Sequence, residues 1–153
     1  GIAFLLAGDG KERAALEEQA RQLNLPNVVF TGPLPKKQMP EVLAASDACT
    51  ATLMDIPMFK TTYPNKVFDY MAAGRPTILA IDGVIREVVE AAGGGIFVPP
   101  ADPEQFAAAV SHLAADPEKA RQMGRAAREY VIAHFDRNQQ AVQFSDLLER
   151  LAR

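Results

Sequence analysis

The sequence predicts an α/β protein in which a parallel sheet carries helices on both faces. Two observations lead there. Strand-like apolar runs alternate strictly with helical patterns along the chain, and strands joined through helices pair in parallel. The strand-like runs are rich in Val, Ile, Leu and Phe, as strands covered on both faces must be.

Each element has its own signal. "IAFLLAG" is expected to be a buried strand, and "KERAALEEQARQLNL" an amphipathic helix with Leu16, Ala20 and Leu23 on one face. "NVVFTG" is the next strand. "PKKQMPEVLAAS" follows as a helix whose Met39, Val42 and Leu43 face inward. "ACTATLM" is a strand and "PNKVFDYMAAG" a helix, with Gly74 as its C-terminal stop. "PTILAI", "VIREVVEAA" and "GGIFVPP" continue the alternation as strand, helix and strand. "DPEQFAAAVSHLAA" is a helix with Pro103 in its first turn, where proline is tolerated. "DPEKARQMGRAAREYVIAHF" and "RNQQAVQFSDLLERLAR" close the chain as helices with a solvated face. Residues 1–153 are read as a single domain. The first residue already stands at the edge of a strand, so the chain is expected to be a piece of a longer one.

Composition excludes several classes. A chain of 153 residues with 48% apolar and 23% charged residues can bury a core. A net charge of -3 gives no general attraction for nucleic acid. The one cysteine, Cys49, lies in an apolar run and reads as a buried, unreactive thiol. No apolar run approaches the roughly 18 residues of a membrane span. No His/Cys cluster has metal-ligand spacing, so no metal is expected. His112 and His134 fall in the C-terminal helices and are read as surface or packing residues.

Ligands of such sheets bind beyond the carboxyl ends of the strands. The loops there are "GDGKE", "TGPLPKK", "MDIPMFKTTYPNK", "IDGVIR" and "PPAD". "GDG" is not a dinucleotide fingerprint, because the third glycine would fall on Arg13. No Walker-type phosphate loop is present. "IDGVIREVVE" places a turn at Asp82 and Gly83 and a helix start at Arg86 and Glu87; Arg86 is read either as a solvated charge or as facing phosphate. Gly93 to Gly95 are read as structural. In "TTYPNKVFDYMAAGRP", Asn65 is expected to cap a helix. The first turn of a helix is a ready anion site, and Lys66 adds a full positive charge. Asp69 lies one turn deeper on the face of Asn65, where a carboxylate can accept from a vicinal diol. Two readings stand at this point: a seat for a nucleoside diphosphate, or a capped helix with ordinary surface charges.

Three segments in this order carry a resemblance: "FLLAGDGKERAALEEQARQLNLPNVVFTGPLPKKQMPEVLAASDA", "YPNKVFDYMAAGRPTILA" and "GGGIFVPPADPEQFAAAV". Together they resemble the C-terminal, nucleotide-sugar-binding domain of retaining glycosyltransferases of family 4 (group 1), over essentially the whole chain. The "PNKVFDYMAAG" form is similar to a branch that assembles bacterial surface polysaccharides. The resemblance implies a Rossmann-like parallel sheet with helices on both faces, the C-terminal half of a GT-B fold closed by C-terminal helices. It implies that the chain lacks its N-terminal acceptor domain and its own first strand. Family members carry two acids eight positions apart. The second, which contacts ribose, corresponds to Asp69. The first, which contacts the donor sugar, corresponds to Thr61, a departure; either the Thr61 hydroxyl or Asp55 would stand in for the acid. The resemblance further assigns the diphosphate to Thr62, Tyr63, Asn65 and Lys66, and the base to Gly32, Pro33 and Leu34.

The implied reaction moves a sugar from a nucleoside diphosphate sugar, UDP-sugar foremost, to a glycan or lipid-linked acceptor. Anomeric configuration is retained and no cofactor is required. The implied partners are the N-terminal acceptor domain, the donor and the acceptor, not nucleic acid. The implied location is the cytoplasm, with peripheral docking on the inner face of the membrane as an option. The chain alone is expected to bind nucleotide weakly and to be inactive. Two other readings remain: a nucleotide-sugar 2-epimerase of similar architecture, which would need acids near the sugar ring, and a non-catalytic nucleotide-binding module, which the missing first acid favours.

Overall fold

The computed structural model describes residues 1–152. Contacts divide the chain into two compact units, Gly1–Val42 and Leu43–Arg153. All strand pairs are parallel, but they form two ladders rather than one: β1 with β2, and β3, β4 and β5 in that order. Alternation in sequence sets the parallel sense through the helical crossovers. It does not say which strands are neighbours.

In the first unit, β1 (Phe4–Ala7) pairs with β2 (Val28–Gly32), and α1 (Arg13–Gln22) connects them. Here the expected burial fails. Leu5 and Val29 are register partners and are 49% and 47% exposed. On α1, Leu16 and Leu23 are exposed, and the half-buried stripe is Arg13, Glu17 and Ala20. One ten-residue helix over a two-stranded ladder cannot cover both sheet faces, so β1 is not the doubly buried strand its composition suggested. A 3-10 turn at Lys36–Gln38 leads into α2 (Met39–Ala45), where Leu43 is buried and Met39 and Val42 are half-buried, as expected.

The second unit holds the main core. β3 (Cys49–Thr52) and β5 (Gly95–Phe97) flank β4 (Thr77–Ala80), all four residues of which are buried. After β3 come α3 (Pro57–Lys60), a short helix hidden in the loop "MDIPMFK", and α4 (Asn65–Ala72). α5 (Val84–Ala91) joins β4 to β5, and α6 (Pro103–Ala115), α7 (Pro117–His134) and α8 (Arg137–Leu151) follow. Arg153, the last residue of the helix expected at the C-terminus, lies outside the described residues. Alternation along β4 sorts the core into two layers. Leu79, with Ala51 and Ile81, packs on Val67 and Met71 of α4, Ile85, Val88 and Val89 of α5, and Ala127 and Val131 of α7. Ile78 and Ala80, with Val98, pack on Ala109 and Leu113 of α6 and Ala120 of α7. The sheet of this unit therefore has helices on both faces, as the sequence predicts.

Helix ends follow sequence signals closely. Asp102, Asp116 and Asp136 each cap a helix by accepting from the backbone N–H of Gln105, Lys119 and Gln139, all at 2.9 Å. Gly74 stops α4 with φ +67°: its N–H donates to Met71 O and that of Arg75 to Tyr70 O, a Schellman closure. α8 leaves Val142, Phe144, Leu147, Leu148 and Leu151 exposed.

α7 packs backbone to backbone on the end of α4. A Cβ at Gly124 would stand 2.0 Å from the carbonyl oxygen of Gly74 and 3.3 Å from Pro76 Cδ. Gly124→Ala should therefore push α7 off α4 and cost about 2–3 kcal/mol. A lower thermal midpoint with native far-UV circular dichroism is the expected result. An unchanged midpoint would mean that α7 and α4 do not approach this closely in solution.

Candidate functional site

The carboxyl ends of β3, β4 and β5 release three loops, and the longest, residues 53–64, carries most of the expected site. It opens at Leu53, whose N–H donates to Ala80 O at 3.4 Å. Pro57 occupies the first turn of α3, which suits its missing N–H. The hydroxyls of Thr61 and Thr62 both donate to Met58 O, at 3.2 and 3.0 Å, and close the end of α3. Thr61 is thus exposed with its hydroxyl turned back on the loop.

The helix that follows starts one residue earlier than its sequence suggests. Pro64 is the N-cap, in extended conformation, and Asn65 is the first helical residue and not the cap. Proline at the cap fixes φ, and no side chain accepts from the first N–H groups. Val67 N–H turns back to Pro64 O at 3.0 Å, while the N–H groups of Asn65 and Lys66, in the first turn, have no helical partners. Tyr63 and Phe68 form a hydrophobic staple across this entry, with ring centroids 6.1 Å apart. Phe68 rests in turn on Phe135, at 4.9 Å, at the end of α7. Val67 and Met71 are buried beneath the helix, which leaves Asn65, Lys66 and Asp69 on the exposed side. Among the described residues, none of these three side chains takes part in an ion pair.

The second loop reaches the first. Asp82 Oδ1 accepts from Gly83 N–H at 3.0 Å and from Arg86 Nη1 at 3.4 Å. Asp82 Oδ2 lies 3.9 Å from Lys60 Nζ, which is also 3.4 Å from Asp55 Oδ1. Asp55 is therefore an ion-pair partner of Lys60. Arg86 is held by neighbouring side chains, with 38% of its side chain exposed. It donates through Nε to Glu90 at 2.7 Å and stacks 3.8 Å over the ring of Phe97, where β5 ends. The sequence reading missed Lys60 and the arginine–phenylalanine stack, because both depend on which loops meet. The Asp-Gly pair at 82–83 was the one available signal, and it was read only as a turn.

In the first unit, Gly32 ends β2 with φ +70°, is buried, and lies against the guanidinium of Arg13, whose Nη1 would stand 2.9 Å from an added Cβ. Its carbonyl accepts from Gly8 N–H and from Thr31 Oγ1, each at 2.9 Å. Pro33 is exposed and Leu34 half-buried. Thr61, Thr62, Tyr63, Asn65, Lys66 and Asp69 thus share one loop and helix start in the second unit, and Gly32, Pro33 and Leu34 share one turn in the first. Gly93, Gly94 and Gly95 are structural: Gly93 ends α5 at φ +57°, Gly94 packs on Ala127, and Gly95 lies against Thr77 O. His112 and His134 are exposed, and His134 stacks on Tyr130 at 4.3 Å.

Residues 1–116 match the family described as glycosyl transferases group 1. Glycogen synthase of Mycobacterium tuberculosis is 28% identical over 137 residues, which are 89% of this chain and 32% of the synthase. The 2-deoxystreptamine glucosyltransferase of Streptomyces kanamyceticus is 27% identical over 135 residues, 88% of this chain and 34% of that enzyme. This chain spans about a third of the length of these relatives. Sucrose-phosphate synthase from Thermosynechococcus elongatus superposes with a TM-score of 0.81 at 28% identity, over 96% of this chain and 38% of its own. Alr3699/HepE of Anabaena, solved in complex with UDP, shares the fold with a TM-score of 0.86 at 22% identity, over 97% of this chain and 41% of its own.

Away from these loops, at the opposite end of β3, burial pushes the Cys49 thiol up to about 11 and the Tyr70 hydroxyl up to about 12. Both raised values favour the neutral form. Below the unfolded values both groups are neutral in either state; as pH rises from there through about 11 to 12 the unfolded chain ionises first and stability falls. At pH 8 the native thiol should react with iodoacetamide about 100-fold more slowly than in urea. Equal rates in the two conditions would place Cys49 at the surface.

Proposed function

The chain belongs to the glycosyl transferases group 1 family, and we propose that it forms the donor-binding domain of a glycosyltransferase. In this reading the enzyme belongs to family 4 and to its bacterial surface-polysaccharide branch. It moves a sugar from a nucleoside diphosphate sugar to a glycan or lipid-linked acceptor, with retention of configuration. The acceptor is held by an N-terminal domain of the same enzyme. The observation that carries this reading is the uncapped first turn of α4, with Asn65, Lys66 and Asp69 exposed along it.

The chemistry follows from that geometry. The diphosphate sits at the helix mouth, where the N–H groups of Asn65 and Lys66 have no helical partners and the helix dipole favours negative charge. The Lys66 ammonium adds a mobile positive charge. Thr62 and Tyr63 form the near wall. Asp69, one turn along, accepts from the two ribose hydroxyls. The donor sugar lies beside Thr61. During transfer the bond between the anomeric carbon and the β-phosphate oxygen breaks, and a bond to the acceptor hydroxyl forms on the same face. The acceptor proton passes to the departing diphosphate. Charge grows on that diphosphate, so a donor fixed at the helix mouth contributes on the order of 3 kcal/mol to lowering the barrier.

Support for UDP as the nucleotide comes from Alr3699/HepE, solved with UDP and with UDP-glucose. The proposed location is the cytoplasm, with peripheral docking on the inner membrane face as an option. Among the described residues no helix is long and apolar enough to cross a membrane. The chain by itself is proposed to bind nucleotide weakly and not to turn over.

Calorimetric titration of the full-length protein with UDP, GDP and ADP tests the reading. UDP should bind best, and Asp69→Ala should weaken it about tenfold, the loss of one charge-assisted hydrogen-bond pair. Absence of binding at millimolar concentration, or an Asp69→Ala variant with wild-type affinity, would overturn the assignment of the seat.

A further inference from the structure

The geometry points to Asp82 and Gly83 as positioning residues that hold the segment 60–64 against the end of β4 and thereby set the mouth of α4. This rests on the nucleotide-seat reading above. The segment is tied at three places. Two ties are local: the threonine hydroxyls on Met58 O, and the staple of Tyr63 on Phe68. Local ties shape the loop but do not fix it relative to the sheet. The third tie does.

At Gly83 the two loops meet without a side chain between them. A Cβ there would stand 2.2 Å from Lys60 O, 2.5 Å from its Cα and 2.7 Å from its carbonyl carbon. Every one of these neighbours is backbone, so none can swing aside. The φ of Gly83 is +117° with ψ -155°, a region that only glycine adopts freely. Gly83 is thus required both by its own conformation and by the chain that lies on it.

Asp82 fixes the same junction from the side. One carboxylate oxygen accepts from Gly83 N–H, which holds the glycine in that conformation. The other oxygen faces the Lys60 ammonium, which Asp55 holds from within the loop. Arg86 anchors Asp82 to α5 and, through Phe97, to the end of β5. The carboxyl ends of β4 and β5 therefore both bear on Lys60. Lys60 is the residue immediately before Thr61 and Thr62, so a shift at Gly83 passes directly into the wall of the proposed seat. The ion pairs are half-exposed and weak singly. Their role is geometric: they select one placement of a loop whose backbone already fits.

The test uses the full-length protein and three variants: Gly83→Ala, Asp82→Asn and Lys60→Met. Hydrogen exchange of the hydrogen-bonded amides of Phe59, Thr62 and Val67 is measured without ligand, and UDP affinity by calorimetry. Exchange at these amides should rise in all three, with β4 amides unchanged, and UDP affinity should fall on the order of tenfold for Gly83→Ala and threefold for the others. Asp82→Asn and Lys60→Met change half-exposed side chains, so they report even if Gly83→Ala does not fold. Unchanged exchange in these two would overturn the latch. Raised exchange with unaltered UDP affinity would overturn the positioning role. If wild-type protein binds no UDP while exchange still responds, the nucleotide reading is what fails, and the positioning role fails with it.

Discussion

Everything in the second unit hangs on β4. Its four residues are wholly buried between two strands and two helical layers. A strand in that setting has no freedom of register, because a slip of one residue would exchange the layer around Leu79 with the layer around Ile78. The point where the strand leaves the core is therefore one of the best-determined places in the molecule. Asp82 and Gly83 sit there, and the loop that carries the proposed seat lies on them.

The seat itself is a contrast between a rigid floor and an open rim. Val67 and Met71 are fully buried and pin α4 to the sheet. The staple of Tyr63 on Phe68, backed by Phe135, sets the angle at which the chain enters the helix. Above that floor the first turn is uncapped, and its polar side chains face out. Aspartates cap α6, α7 and α8, whereas α4, like α1, α3 and α5, has no side-chain cap. α4 differs from the other uncapped helices in the polar side chains, Asn65, Lys66 and Asp69, exposed along its first turns. Its orphan N–H groups stay available to a ligand with acceptor oxygens.

The first unit shows what composition alone overstates. Its strands are as apolar as those of the second unit, yet Leu5, Leu6 and Val29 are exposed. Apolar composition states that a strand can be buried. Whether a layer lies over it depends on elements elsewhere in the chain. The same limit applies to α1, where Leu16 and Leu23 define the apolar stripe and the observed inward stripe is Arg13, Glu17 and Ala20.

The sequence by itself determined the order of the strands and of the longer helices, the parallel sense of pairing and the helix stop at Gly74, because each is a matter of local periodicity or backbone sterics. It also determined that Asn65, Lys66 and Asp69 share one helix, and the family's motif order brought them to notice. Tertiary structure alone decided that the strands form two ladders, that Pro64 and not Asn65 stands at the cap, and that Lys60 lies on Gly83. It decided too that Arg86 is spent on Glu90, Asp82 and Phe97 rather than left free. The ladders and the contacts of Lys60 with Gly83 and of Arg86 with Phe97 depend on which separate segments come together, and such contact leaves no periodic trace in the order of amino acids.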